Sequence, residues 1–132
     1  HGRRHRELER VMEGEPIDFV QLTYNIVDRE AEASLLPLAR ERGIAVIANR
    51  PYRRKQLFRL YQDRPLPPWA GEVGATNWAE FFLKFIVSHP SVTCAIPATS
   101  QVRHMEENMG ALTGPLPEAA DRRRMVRWVE DL

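Results

Sequence analysis

The sequence predicts an α/β protein in which parallel strands are covered by helices. Three short apolar runs, at 17–24, 44–48 and 92–96, have the composition of strands, and helical patterns separate them. Alternating strand and helix units of this kind indicate a parallel sheet or barrel with helices outside. Three strands leave sheet edges and faces uncovered, whereas a parallel barrel needs eight. We therefore expect part of a domain, and the start at His1 without an initiator Met agrees with an internal beginning.

Local signals place the elements of the first third of the chain. A helix is predicted over 3–13, where apolar side chains recur at helical spacing among charges, and the strand 17–24 follows it. Asp28 is expected to cap the next helix, and Gly43 is expected to end that helix in a left-handed conformation. Because Pro37 falls inside the same helix, we expect it to kink the helix or to lie near a local bend.

The middle of the chain combines a buried strand with a long connection. The run 44–48 is apolar on both faces, which is typical of a buried parallel strand. Residues 50–75 are polar and Pro-rich, and one short helical turn is expected at 56–61. A connection of this length inside a compact domain is usually functional.

The clearest helix is predicted over 77–88, because its apolar side chains form one continuous stripe. Asn77 as the cap, with Glu80 three residues later, resembles a capping box. Further helices are predicted at 101–112 and at roughly 118–131.

The most informative segment is the strand 92–96 with the small-residue turn and helix that follow it. A helix that begins there directs free backbone N–H groups and its positive dipole end at whatever lies above the strand. Such a junction binds phosphate well, although a simple capping turn explains the same residues equally.

Charge and hydropathy restrict the class of partner. The net charge is +1, from 19 basic and 18 acidic residues, so no global field favours nucleic acid or membranes. Basic clusters at 3–6, 50–55 and 122–127 are compatible with a nucleic-acid surface, but acidic residues interleave with the last cluster and favour a solvated helix face. No apolar run approaches the roughly 20 residues of a membrane span. We expect neither a nucleic-acid nor a membrane partner.

The chain offers no group of residues suited to catalysis. Its single cysteine, Cys94, lies in an apolar strand, so we expect a core residue and a protein of the reducing cytoplasm. The four histidines lack metal-ligand spacing, and no serine, histidine and aspartate arrangement nominates a catalytic triad.

Taken together, these segments resemble an aldo-keto reductase. The residues that carry the resemblance lie at 18–21, 24–25, 36–39, 43–46, 82–86, 92–100 and 104–108. The resemblance implies a (β/α)8 TIM barrel, of which residues 1–132 are the C-terminal portion, with units six to eight and a final helix. It also implies that NADP or NAD lies extended across the C-terminal face of the barrel, with NADP slightly favoured.

The resemblance also assigns cofactor contacts to individual residues. Gln21 is expected to hydrogen-bond the nicotinamide carboxamide. Without the resemblance, the sequence favours a buried Gln21 whose side-chain amide hydrogen-bonds to the backbone. The turn after the third strand is expected to hold the adenosine phosphate, and the helix after it the 2′-phosphate and adenine. These residues are Ala98, Thr99 and Ser100 in the turn, His104 at the 2′-phosphate, and Glu107 and Asn108 at adenine.

Two positions depart from the family's pattern. Asn49 stands where the family places an aromatic ring against the nicotinamide, and nearby Tyr52 is a candidate substitute. Ala98 stands where NADP-specific members often carry lysine. Arg50 and the basic residues 53–54 lie in a loop at the cofactor face, where guanidinium groups can meet a pyrophosphate or the 2′-phosphate.

The expected function is therefore the cofactor-binding half of an NAD(P)H-dependent oxidoreductase that acts on a small carbonyl or alcohol. The family's catalytic Asp, Tyr, Lys and His belong to the first four units, which this chain does not contain. We expect the 132 residues alone to be inactive and to need the N-terminal half as a partner. The alternative is a non-catalytic nucleotide-binding or self-associating half-barrel, since a partial barrel must hide an uncovered edge and apolar faces.

Overall fold

The computed structural model confirms a parallel sheet flanked by helices, and it describes residues 2–97 and 102–132. Three strands form the sheet: β1 (Phe19–Thr23), β2 (Ala45–Asn49) and β3 (Cys94–Ala95). The helices are α1 (Gly2–Gly14), α2 (Leu35–Arg42), α3 (Gln56–Tyr61), α4 (Trp78–Val87), α5 (Val102–Gly110) and α6 (Ala119–Asp131). Two short 3₁₀ helices lie at Glu30–Glu32 and Ala70–Val73. None of the described helices is long and apolar enough to cross a membrane.

The strands lie in the order β1-β2-β3, and both pairs are parallel. Gln21 is opposite Ile47, which is opposite Cys94, so these three side chains share one face. Residues at the alternate positions of β1 and β2, Val20, Leu22, Val46 and Ala48, are buried against the helices. The sheet therefore has one face in the core.

The other sheet face is uncovered in the described part of the chain. Phe19 is 62% exposed and Ile96 is 47% exposed, and Gln21 is exposed as well. The expectation that β2 is buried on both faces is wrong, because Ile47 is only half-buried. Cys94 was expected in the core and is exposed, because its register places it on this same uncovered face.

Helix α4 fills the core as predicted. Phe81, Phe82, Phe85 and Ile86 are at most 1% exposed. Asn77 Oδ1 accepts a hydrogen bond from Glu80 N at 2.8 Å, which confirms the cap. The returning bond is shifted by one residue, since the Glu80 carboxylate accepts from Thr76 N at 3.1 Å.

The start of α2 differs from the prediction. Asp28 does not cap the helix, which begins after Ser34, because the Asp28 carboxylate binds other partners. Pro37 is the third residue of α2. Backbone N–H groups in the first turn of a helix have no partner within the helix, so proline is accommodated there without a kink. Gly43 ends the helix with φ 66°, as predicted.

Two side-chain contacts tie the C-terminal segments to this core. Lys84 on α4 is fully buried, and its Nζ donates to the carbonyl oxygens of Thr113 and of Pro115, the latter at 2.7 Å. Burial lowers the pKa of Lys84 below its usual value. Arg124 on α6 lies 3.9 Å from the Trp69 ring centroid, a cation–π contact.

Candidate functional site

The C-terminal ends of β1 and β2 open onto a cavity of about 280 Å³. In parallel α/β proteins, ligands bind at this end of the sheet, beyond the C-termini of the strands. The residues that line the cavity are His5, Thr23, Asp28, Glu30, Arg50, Arg53, Arg54 and Gln56. Arg50, one of the predicted cofactor-binding residues, is therefore in the wall of a real cavity.

Asn25 holds the two loops of this cavity together. The side chain is fully buried, and its Nδ2 donates to Asp28 Oδ2 at 2.9 Å and to the Arg50 carbonyl oxygen at 3.0 Å. Its Oδ1 accepts from the backbone N–H groups of Val27 at 3.0 Å and Asp28 at 2.7 Å. Sequence reasoning gave Asn25 no role of its own, although an Asn after a strand with an Asp three residues later is a turn signal.

The loop after β2 is basic and backbone-strained. Arg50, Arg53, Arg54 and Lys55 all have left-handed φ values, at 52°, 52°, 55° and 68°. Non-glycine residues in this region each cost about 1–3 kcal/mol, and they cluster where proteins clamp ligands. The loop therefore holds four cationic residues in a backbone conformation that non-glycine residues rarely adopt.

Only part of this positive charge is neutralised. Arg53 Nε lies 3.2 Å from Asp28 Oδ2, so this guanidinium is partly engaged. Within the described residues, no carboxylate oxygen lies within the 4.0 Å of an ion pair from the Arg50 or Arg54 guanidinium. Two arginines at the mouth of the cavity are thus available to an anion.

Two other predicted residues lie at the same end of the sheet. Thr23 Oγ1 donates to Asn49 Oδ1 at 2.8 Å, and the two residues are opposite each other in the register. Gln21 lies two residues earlier in β1, on the uncovered face. The reading of Gln21 as a buried, backbone-satisfied amide does not hold, because its side chain is exposed.

Asn108 on α5 reaches the loop after β2 through Tyr52. The Tyr52 hydroxyl donates to Asn108 Oδ1, and both residues are 7% exposed. The Tyr52 ring packs against Phe58, with 4.5 Å between ring centroids, and against Phe82. Tyr52 therefore does not replace the aromatic ring expected near Asn49, because its ring is held inside the core.

All of the predicted cofactor contacts stay predictions. Ala98, Thr99 and Ser100 lie outside the described residues, and so do the side chains of His104 and Glu107. Among the residues that are described, no group of three His, Cys, Asp or Glu side chains is placed to hold a metal ion.

Comparison with solved structures shows what the fold is similar to. An aldo-keto reductase from Klebsiella pneumoniae, solved with NADP and acetate, matches 92% of this chain at TM-score 0.74 and 23% identity. The holo form of an aldo-keto reductase from Bacillus halodurans matches 93% at TM-score 0.68 and 22% identity. A thermostable aldo-keto reductase solved with the inhibitor epalrestat matches 92% at TM-score 0.68 and 26% identity. This chain has the fold of part of an aldo-keto reductase barrel.

The aldo-keto reductase likeness predicted from the sequence is thus confirmed for the fold. The chain spans less than half of the matched structures, at 44%, 46% and 44% of their lengths. No protein-family model matches the sequence. In a complete aldo-keto reductase barrel one face of the sheet lines the interior, which accounts for the face left uncovered in this partial one.

Proposed function

We propose that this chain is the C-terminal, cofactor-binding half of an NAD(P)H-dependent aldo-keto reductase. The observation that carries the proposal is the basic cavity at the C-terminal ends of β1 and β2, where the Arg50 and Arg54 guanidinium groups form no ion pair with any described carboxylate. The matched structure from Klebsiella pneumoniae was solved with NADP, which supports the same class of cofactor here. The intact enzyme reduces a small carbonyl compound, or oxidises the corresponding alcohol, in the cytoplasm.

The donor groups present suit a dinucleotide. Arg50 and Arg54 offer the planar, charged donors that phosphate oxygens prefer. Gln21 and Asn49 carry amides at the nicotinamide end, where a carboxamide needs both a donor and an acceptor. Asn108 offers an amide N–H to the adenine end.

The predicted remainder of the site completes the adenosine end of the cofactor. We expect Ala98, Thr99 and Ser100 to bind the adenosine phosphate, His104 to bind the 2′-phosphate and Glu107 to contact adenine. When bound, the nicotinamide supplies or accepts the hydride. The residues of this chain bind and orient the cofactor, and the N-terminal half supplies the acid that protonates the carbonyl oxygen.

Binding is tested by titrating the 132-residue chain with NADPH and with NADH while nicotinamide fluorescence is followed. We expect saturable NADPH binding, weakened about tenfold by Arg50→Gln, because a charge-assisted hydrogen bond is lost. Arg59→Gln, an exposed change on α3 outside the cavity, is the matched control and should leave the affinity unchanged. Absence of saturable binding by the unaltered chain contradicts the proposal.

Inactivity of the half alone needs a separate assay. The purified chain is mixed with NADPH and a broad panel of aldehydes, and absorbance at the nicotinamide band is followed. We expect no turnover, because the catalytic Asp, Tyr, Lys and His that the family resemblance implies belong to the N-terminal half, and without them no positioned acid protonates the carbonyl oxygen. Aldehyde-dependent NADPH oxidation that co-purifies with the chain contradicts this part of the proposal.

A self-associating, non-catalytic half-barrel is the second candidate. The uncovered sheet face favours it, since Phe19 and Ile96 expose large apolar side chains there. Light scattering over a range of concentrations distinguishes the two, and Phe19→Lys should dissociate any assembly built on this face. A stable monomer at all concentrations argues against this second candidate.

A further inference from the structure

Two buried side-chain atoms of the described residues lack a hydrogen-bond partner, Asn108 Nδ2 and Trp128 Nε1, and the first lies on a residue with a predicted cofactor contact. Asn108 Nδ2 is buried and makes no hydrogen bond to the described part of the chain. Buried donors are nearly always paired, because leaving one unpaired costs its full desolvation free energy. The acceptor that pairs this amide nitrogen must therefore come from outside the described residues.

The other end of the same amide is already occupied. The Tyr52 hydroxyl donates to Asn108 Oδ1 across 56 residues of sequence. Tyr52 is itself well fixed, because its ring packs against both Phe58 and Phe82. The contact with Tyr52 identifies Oδ1 as the accepting end of the amide, and the unpaired Nδ2 is a donor, so the atom that pairs with Nδ2 must be an acceptor.

Tyr52 also belongs to the loop that carries the uncommitted Arg50. The loop after β2 thus places a cationic group at the cavity and, two residues later, a hydroxyl that orients an amide on α5. An adenine dinucleotide presents the matching pair of features, anionic phosphates and a base whose ring nitrogens accept hydrogen bonds.

We propose that Tyr52 is a positioning residue whose hydroxyl holds the Asn108 amide so that Nδ2 donates to a ring nitrogen of the cofactor's adenine. This inference rests on the proposed function. It adds that recognition of the base depends on a residue of the loop after β2 that need not touch the cofactor.

The test compares the affinity of a whole cofactor with that of its nicotinamide half. Dissociation constants for NADPH and for reduced nicotinamide mononucleotide, which lacks adenosine, are measured for the unaltered chain, Tyr52→Phe, Asn108→Ala and the double variant. We expect Tyr52→Phe to weaken NADPH binding about three- to tenfold and to leave the mononucleotide unchanged. In the Asn108→Ala background, Tyr52→Phe should not weaken NADPH binding further, because the amide through which Tyr52 acts on the base is already absent.

Two further variants separate positioning from structure. Tyr61→Phe removes a hydroxyl from the same aromatic cluster, in which the Tyr61 ring packs on Trp78 and Phe82, and it should leave both affinities unchanged. Asn108→Asp keeps an acceptor for Tyr52 but removes the NH₂ donor, so it should weaken NADPH as Asn108→Ala does. This variant also tests the donor role if Tyr52→Phe fails to fold.

Each failure has its own signature. If the unaltered chain binds NADPH and Tyr52→Phe binds it equally well, the positioning role is wrong and the proposed function stands. Equal losses for NADPH and the mononucleotide mean that Tyr52 is structural, and they also overturn the inference. If the unaltered chain binds no NADPH, both proposals are wrong.

Discussion

The Asn25 side-chain nitrogen lies 3.0 Å from the carbonyl oxygen of Arg50, and this hydrogen bond joins the loop after β1 to the loop after β2. The same amide also receives two backbone N–H groups of its own turn. One buried side chain therefore fixes the shape of both cavity walls, and the position of the Arg50 backbone depends on it.

Removal of this amide should destabilise the fold and loosen the cavity. We expect Asn25→Ala to lower the free energy of unfolding by about 3 kcal/mol, since several buried hydrogen bonds are lost together. Asn25→Asp should be at least as harmful, because it places a second carboxylate beside Asp28 where an N–H group donated. Urea unfolding measures both changes, and Val27→Ala, at a more exposed neighbour, should stay within about 0.5 kcal/mol of the unaltered chain.

Arg54 should show opposite effects on stability and on binding. Its left-handed φ of 55° is easy for glycine, so Arg54→Gly should raise the free energy of unfolding by about 0.5–1 kcal/mol. NADPH affinity should fall about tenfold with the loss of the guanidinium. Arg59→Gly, the same change within α3, should lower stability by about 1 kcal/mol and spare the affinity. A stability loss at Arg54 would show that the backbone conformation is not strained.

Lys84 should matter to stability and to its alkaline pH dependence. Lys84→Met leaves the Thr113 and Pro115 carbonyl oxygens without their donor, which should cost about 2 kcal/mol. Because burial lowers the pKa of Lys84, the unfolded chain binds the proton more tightly. Stability from this group therefore rises with pH in the window just below the ordinary lysine pKa of 10.5.

The Lys84 prediction is checked by unfolding at several pH values. The methionine variant should lack this rising contribution, while the exposed Lys55→Met variant should retain it. Identical pH profiles for the unaltered chain and Lys84→Met would contradict the assignment.

His89 should govern part of the acid sensitivity. Burial, and secondarily the nearby Arg122 charge, lower the pKa of His89 below its usual 6.5. Between its folded and unfolded pKa values the unfolded chain takes up the proton and the folded chain does not, so stability falls as pH drops below about 6.5. His89→Gln should flatten this part of a thermal-unfolding profile, and His5→Gln, which keeps His89, should not. If the stability of His89→Gln falls as steeply with decreasing pH as that of the unaltered chain, carboxylates rather than His89 cause the loss of stability in acid.

Local sequence signals correctly predicted the structural features that depend only on residues close together in the sequence. The α4 stripe, the Asn77 cap, the α3 turn and the left-handed Gly43 each depend on residues within one or two helical turns. The Asp28 cap was wrong because α2 begins only after Ser34, and the Asp28 carboxylate binds Asn25 and the distant Arg53 instead. The buried placement of Cys94 was wrong because exposure in a strand depends on what lies opposite, which the strand's own residues do not encode.

The same distinction applies to the candidate site. The position of Arg50 in the cavity wall could be anticipated because Arg50 lies two residues after the predicted strand 44–48. The Tyr52 contact with Asn108 joins residues 56 positions apart, and no periodicity or spacing relates them. The four-fold role of Asn25 also requires the β1 and β2 loops to be adjacent, which only the folded sheet provides.

Side chains along β1 alternate between the two faces of the sheet. Val20 and Leu22 pack against the helices, whereas Phe19 and Gln21 lie on the uncovered face. Substitutions at Phe19 or Gln21 should therefore change the folding of this chain very little, and their effects in a cell should come from whatever occupies that space. A scan of the residues tolerated at Phe19 in living cells therefore reports what covers this face of the sheet. If many residue types are tolerated, the face is exposed to solvent. If only a few apolar residues are tolerated, the face packs against protein.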